Sequence, residues 1–362
     1  MKPAGALPFA LPGRYAYDNE TFAGGQGAVY ICRDVNLDRR VAIKVLHTVS
    51  NAASLLKEVS ARAKIKSKHV AEIYEVLLSA SGKPFALILE YIYGAALDDK
   101  ASIPTAVDAK LLLLYQLACG LSDIHAAGVI HRDIKPQNMK VDQAGILKIF
   151  DLGISNLDAD AASTVGGAGS YVYRAPELYA TAPLGVTRAA DVYALGVVAW
   201  HIFGNAFPAP LLEIPPQHSR SPLPSLQKAA PDLGSIAALV DQALKVDPKD
   251  RPSAVTIRDA LQRRITRGKQ RGLFAHGLQT WELSTVGKST TLAVGVLGTI
   301  KIAYDGSGFV VREVAGAVFV NNAPAAVNDE IPDSCVLTFG DLSQGTSRRF
   351  VTFNASQPEI VL

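Results

Sequence analysis

The chain has 362 residues, more than a single small core needs and enough for two or three domains. Hydrophobic residues make up 49% and charged residues 19%, a globular balance that excludes a disordered chain, and a net charge of +3 is too small to argue for nucleic acid or an anionic membrane. The three cysteines, Cys32, Cys119 and Cys335, stand far apart without paired spacing, which argues against a disulfide framework or zinc site and for a reducing, cytoplasmic setting. Residues 1–13 are rich in Pro, Ala and Gly and read as a loose lead-in; they lack the charged region and long apolar run of a signal peptide.

Strand signals begin near Tyr15. A glycine-rich turn follows, Gly24-Gly25-Gln26-Gly27-Ala28-Val29-Tyr30, where a hairpin backbone can approach a ligand closely. Alone, such a motif is usually only a turn. A polar turn through Asp34, Asn36, Asp38, Arg39 and Arg40 leads into the strand Val41-Ala42-Ile43-Lys44. Lys44 in that apolar setting either reaches solvent along its stem or serves a ligand. A helical segment over residues 54–66, with Leu55, Val59 and Ile65 inward, carries Glu58; Glu72 and Glu75 lie in the next strand. The strand Phe85-Ala86-Leu87-Ile88-Leu89 runs into Glu90-Tyr91-Ile92, followed by Gly94 and Asp98.

Leu111, Leu114, Leu117, Leu121 and Ile124 recur at helical spacing, and Gly128 stops that helix. The loop His131-Arg132-Asp133-Ile134-Lys135-Pro136-Gln137-Asn138 is thereby presented by a rigid element. The short strand Leu147-Lys148-Ile149-Phe150 then delivers Asp151-Leu152-Gly153. Together these supply a carboxylate to accept a proton, an ammonium, an amide oxygen and a second carboxylate. Magnesium takes hard oxygen ligands, commonly a carboxylate or two with substrate phosphates. Phosphoryl transfer asks a protein mainly for positioning and matching charge.

At this point the chain resembles the eukaryotic-type protein kinases of bacteria, and Lys135 resembles the serine/threonine class. The implied fold is α+β, a two-lobe kinase domain over residues 14–266 divided at 92/93. The resemblance implies that Asp133 is the base or orienter of a substrate hydroxyl and that Lys135 neutralises the γ-phosphate. It pairs Lys44 with Glu58 at the α- and β-phosphates of ATP and gives Asn138 and Asp151 to Mg2+, with Mn2+ as the other ion such a site accepts. Gly24, Gly25, Gly27, Val29 and Ala42 would surround the nucleotide. Leu89 would stand behind the adenine, backbone groups of Glu90 and Ile92 would hold the base, and Asp98 would reach the ribose or else remain a solvated surface acid. Aligned back from Gly27, the family's first glycine position holds Phe22, and Leu152 replaces the usual Phe after Asp151.

Residues 151–177 are rich in Gly, Ala, Ser and Thr and resemble an activation loop, with Ser163, Thr164 and Ser170 as phosphoacceptors and Arg132 as the phosphate partner. Ala175-Pro176-Glu177 closes it, with Arg251 as the expected partner of Glu177. Asp191 opens a helix apolar almost all round and is expected to bond the catalytic-loop backbone. Residues 204–231 are dense in Pro and read as irregular, and helices resume through Leu244 and over residues 255–265.

Residues 267–277 read as a basic linker following Arg263 and Arg264. Beyond 278 come short β-prone runs separated by turn signals, a small all-β sandwich. Its most apolar run, residues 292–300, is broken by glycines and far short of the ~20 residues that span a bilayer, so no membrane insertion is expected. Val286-Gly287-Lys288-Ser289, Val318-Phe319-Val320-Asn321-Asn322 and Val336-Leu337-Thr338-Phe339-Gly340 resemble a forkhead-associated domain over residues 278–362. Lys288 stands where that family has Arg. The family's Ser and His are absent around residues 295–298, and its Asn is replaced near Gly316. These departures argue against phosphothreonine binding and leave a protein-interaction module or a structural appendage. The expected partners are protein substrates and a protein ligand of the sandwich. A catalytically silent scaffold acting through the same sandwich is the alternative to an active kinase.

Overall fold

The computed structural model describes residues 9–24, 27–45, 52–151, 170–180, 186–219, 221–356 and 360, without the side chains of residues 23, 24, 27, 52–55, 57, 58 and 170. The chain divides into two compact units, residues 1–261 and 262–361.

The first unit opens with an antiparallel sheet of β1 (Tyr15–Gly24), β2 (Gly27–Asp34), β3 (Arg39–Val45), β4 (Ile73–Leu78) and β5 (Pro84–Glu90), in the order β1-β2-β3-β5-β4. Between β3 and β4 runs α1 (Ala52–Ala63), built from Ala, Leu, Lys, Glu and Arg, which favour helix. Side chains alternate along a strand, so the sheet has two distinct faces. On one, Val59 of α1 packs against Leu87, with Leu89 beside them. Register places Lys44 opposite Leu87 and Ala42 opposite Leu89, so both share that face. On the other, Cys32, Val41, Ile43, Ala86 and Ile88 are buried beneath Phe9, Leu11, Tyr30 and Phe85.

The second lobe carries β6 (Ala95–Ala96), α2 (Val107–Ala126), β7 (Met139–Val141), β8 (Leu147–Ile149), α3 (Arg188–Phe203), α4 (Ala209–Leu212), α5 (Leu226–Ala229), α6 (Ser235–Ala243) and α7 (Ala254–Thr266). All five apolar residues that marked α2 in the sequence are buried, and the Gly128 N–H bonds back to the His125 carbonyl just past its end. Thirteen of the sixteen residues of α3 are buried, which makes it the central helix of the lobe. β6, β7 and β8 form a small antiparallel sheet. Its strand β8 is tied to the first lobe: the Ala71 N–H bonds to Ile149 O at 2.9 Å and the Ile149 N–H to His69 O at 2.8 Å. Asp151, two residues beyond β8, is thereby held to both lobes.

The second unit contains β9 (Gly272–His276), β10 (Gln279–Leu283), β11 (Ser289–Val294), β12 (Gly298–Tyr304), β13 (Phe309–Gly316), β14 (Val318–Val320), β15 (Ala323–Pro324), β16 (Glu330–Ile331), β17 (Ser334–Phe339) and β18 (Arg349–Ala355). One sheet runs β10-β9-β18-β17-β14-β15 and the other β11-β12-β13-β16. A single apolar cluster joins them, including Phe274, Ile300, Ile302, Tyr304, Phe309, Leu337, Phe339 and Phe353, so the unit is a β-sandwich. Gly272 is required where it stands, because a Cβ there would lie 2.6 Å from the Phe309 ring.

Residues 267–277, expected as a linker, include β9, which pairs with β10 and β18. Basic composition masked it: Lys269 and Arg271 immediately precede a strand whose Phe274 is fully buried. Among the described residues, no helix is long and apolar enough to cross a membrane.

Candidate active site

The loop 131–138 is held from below by one buried carboxylate. Asp191, at the start of α3, accepts the His131 N–H (2.8 Å) and the Arg132 N–H (2.9 Å), and its Oδ2 also lies 2.9 Å from His125 Nε2. A buried charge is tolerated only when it is fully paired in this way. Arg132 takes the left-handed backbone conformation, φ +71°, which turns the chain so that Asp133 faces away from the anchor.

His131 links the two acid-bearing segments. Its Nδ1 accepts the Asp133 N–H at 3.2 Å, and its Nε2 lies 3.1 Å from Phe150 O. A carbonyl accepts only, so Nε2 carries the proton and the ring is neutral. Burial pushes the His131 pKa below the usual imidazole value, consistent with that tautomer.

On the loop, Lys135 Nζ lies 2.8 Å from Asp133 Oδ2. The Asn138 amide donates to Asp133 O at 2.8 Å and to Asp133 Oδ2 at 2.9 Å. With its nitrogen so engaged, the Asn138 carboxamide oxygen is left as a free acceptor. The Phe150 N–H bonds to Asn138 O at 3.0 Å, which sets the strand leading to Asp151 beside the loop. Asp151, also left-handed at φ +59°, forms an ion pair through Oδ1 with the buried Lys44 ammonium of β3. Two carboxylates, each with its own lysine, are therefore brought into one region from three separate stretches of chain.

Lys44 thus meets Asp151. The side chain of Glu58, its expected partner, lies outside the described residues, as do Gly25, Leu152, Ser163, Thr164 and the Ser170 side chain. Val29 stands opposite Lys44, and Ala42 opposite Leu89, all on the α1-side face. Gly24 pairs with Gly27. Phe22, which holds the family's first glycine position, pairs with Val29 within β1 and β2.

Between the lobes, Glu90 bonds Lys148 (2.7 Å) and the Glu72 N–H, and Ile92 O receives Lys140 Nζ at 3.5 Å. Gly94 is the residue that lets the chain continue: at φ +132° a Cβ would sit 1.9 Å from Val141 O. Asp98 is exposed, and its charge acts on Tyr173 and His201.

Past the undescribed residues 152–169, Glu177 binds Arg251 through two bonds of 2.7 Å each. Arg251 also donates to the Lys245, Ala189 and Val246 carbonyls, so its buried guanidinium is fully satisfied. The Arg132 side chain is exposed and has no ion-pair partner among the described residues. No group of three or more His, Cys, Asp or Glu side chains that could hold a metal occurs among the described residues.

A family model for the protein kinase domain matches residues 19–263. The chain belongs to the protein kinase family. It is 35% identical over 271 residues to the serine/threonine-protein kinase pkn2 of Myxococcus xanthus, covering 69% of this chain and 32% of that protein. It is 32% identical over 256 residues to Pkn1 of the same organism, covering 66% and 36%. It is 27% identical over 251 residues to the serine/threonine-protein kinase PrkC of Bacillus subtilis, covering 66% and 38%. The chain thus spans about a third of the length of these curated relatives.

Within the kinase domain, sequence reading overlooked His125, His131 as a bridge, and Lys140 and Lys148. His125 sits at helical spacing on a buried face, where a polar residue is itself a signal. Lys140 and Lys148 are cross-strand partners on β7 and β8, which only the hairpin register reveals.

Proposed function

We propose that the protein is a serine/threonine kinase that transfers the γ-phosphoryl group of ATP to hydroxyls of protein substrates. The observation that supports this most is the meeting of Asp133, Lys135 and Asn138 with the Lys44–Asp151 pair. In this reading Asp133 accepts the proton of the incoming Ser or Thr hydroxyl as its oxygen bonds to phosphorus and ADP leaves. Lys135, already against Asp133, neutralises charge on the transferring group, and Lys44 holds the α- and β-phosphates. Glu58 is assigned to orient Lys44. Val29, Ala42 and Leu89 pack on the base, backbone groups of Glu90 and Ile92 hold it, and Gly24, Gly25 and Gly27 cover the phosphates.

The donor chemistry fits a hard divalent ion. Asp151 offers a carboxylate and Asn138 an amide oxygen, both hard oxygen donors. We assign Mg2+, with Mn2+ as a second acceptable ion. When bound, such an ion neutralises developing charge on the phosphate oxygens. Arg132, exposed beside Asp133, is assigned to receive a phosphate on Ser163, Thr164 or Ser170 and so order the activation segment.

The β-sandwich is assigned a divergent forkhead-associated fold serving as a protein-interaction module that does not read phosphothreonine. β11 and β12 are joined by only three residues, Gly295, Val296 and Leu297, which leaves no room for a phosphate-gripping loop. A cytoplasmic location goes with this reading.

The test is purified protein with labelled ATP, Mg2+ and a generic protein substrate, compared with Asp133→Asn and Lys44→Met, followed by mapping of labelled sites. The expected result is label on Ser and Thr in wild type alone. Equal label in all three would identify a contaminant, and no label in any would return the scaffold reading.

A further inference from the structure

Arg40 has no role in the site described above, yet it is one of the most connected side chains in the first lobe. It lies on β3 two and four residues before Ala42 and Lys44, so alternation places it on the same face of the sheet. Its Nε donates to Asp18 Oδ2 at 3.0 Å, Nη2 to Glu20 Oε2, and Nη1 to the Tyr91 hydroxyl at 3.1 Å. The guanidinium carbon also lies 4.4 Å from the Tyr91 ring centroid. One side chain therefore joins β1, two strands away in the sheet order, to the segment connecting the lobes.

The convergence of two acids on one base is built into β1. Register jumps from Tyr17 opposite Cys32 to Glu20 opposite Ile31, and Asn19 takes φ +59° within this bulge. A bulge re-aims the side chains around it. Here it brings Asp18 and Glu20 to the same guanidinium, where without Arg40 they would repel each other. Tyr91 is approached by a second cation as well: Lys140 Nζ lies 5.8 Å from its ring, and the Tyr93 ring meets it edge-on at 4.7 Å. The connection between the lobes is thus gripped by Arg40 from the first lobe and Lys140 from the second.

Given the kinase reading, on which this rests, we propose that Arg40 is a positioning residue for ATP. It fixes the root of the β1–β2 hairpin against the interlobe connection, so that the hairpin covers the nucleotide from a set height. β1 and β2 are paired from Tyr15 and Asp34 to Gly24 and Gly27, so the placement of the hairpin depends on its root.

Titration calorimetry with a non-hydrolysable ATP analogue, alongside steady-state kinetics, tests this. Arg40→Met keeps the aliphatic stem and should weaken nucleotide binding about five- to tenfold, the scale of a small charge network, with kcat within about twofold and the KM for protein substrate unchanged. Arg40→Lys should recover only part of that loss, since an ammonium cannot serve three acceptors in a plane. Should Arg40→Met fail to fold, Tyr91→Phe, which removes a single hydroxyl, should weaken binding about twofold. A lowered melting temperature with unchanged nucleotide affinity in Arg40→Lys and Tyr91→Phe would make the network merely structural and overturn the proposal. Wild-type protein that binds no nucleotide would overturn the kinase reading instead.

Discussion

The kinase unit and the sandwich differ most in what they bury. Of the twelve buried polar or charged residues among those described, eleven lie in the kinase unit, including Lys44, His131, Asn138, Asp191 and Arg251; the sandwich contributes Thr338. The sandwich core is instead aromatic and aliphatic, with Phe309 stacked 4.8 Å from Tyr304 and meeting Phe353 edge-on at 5.0 Å. Burying a polar group is unfavourable unless every bond is made, so such groups persist where they position something. In the kinase unit they fix the backbone of loop 131–138 and the approach of Asp151. Among the described residues of the sandwich, Thr338 is the one buried polar side chain.

The largest effect that can break this contrast is chemical. Asp133→Asn should lower kcat by about 10^3 while leaving the melting temperature close to wild type, because a loop carboxylate is being exchanged for an amide of the same shape. Phosphate incorporation and a thermal melt on the same preparation check both halves, and a parallel loss of folding would mean that Asp133 is structural. Next comes Arg251→Ala, which leaves the Glu177 carboxylate without its partner and should cost about 3–5 kcal/mol of stability in denaturant unfolding. Activity would then fall only as folded protein is lost. On the sandwich side, Gly272→Ala forces a methyl into the Phe309 and Phe353 rings and should destabilise that unit by about 1–3 kcal/mol. A neutral result would show that those rings can shift.

Acid should separate the two units further. Burial pushes His69, His131 and His201 of the kinase unit below the ordinary value of 6.5. Above pH 6.5 these rings are neutral whether the chain is folded or not, so their contribution is constant. Below it the unfolded chain takes up protons that the folded one refuses, and stability falls as pH drops toward the folded pKa values. The described buried residues of the sandwich include no histidine, so its unfolding midpoint should change less between pH 7 and about pH 5.5. The smallest effect is expected from Thr338→Val, under about 1 kcal/mol, because no positioned group depends on that hydroxyl.

Reading the chain alone captured what is encoded over short spans. The spacing of Asp133, Lys135 and Asn138 sits on one loop, and a Lys in an apolar strand or an Asp after a short strand can be recognised from immediate neighbours. The apolar repeat of α2 and the unbroken apolarity of α3 likewise fixed which helices are buried. The same local reading failed at β9, where basic neighbours hid a core strand.

What the order of residues determined, then, is the set of chemical groups and the elements that carry them, because hydrophobic period and turn residues act over a few positions. Tertiary structure alone decided who meets whom: Lys44 with Asp151, His131 between two acidic segments, Asp191 beneath the loop, and Arg40 between β1 and Tyr91. Those meetings join residues from about twenty to over a hundred positions apart. Their geometry follows from how the sheet and helices pack, which no local pattern records.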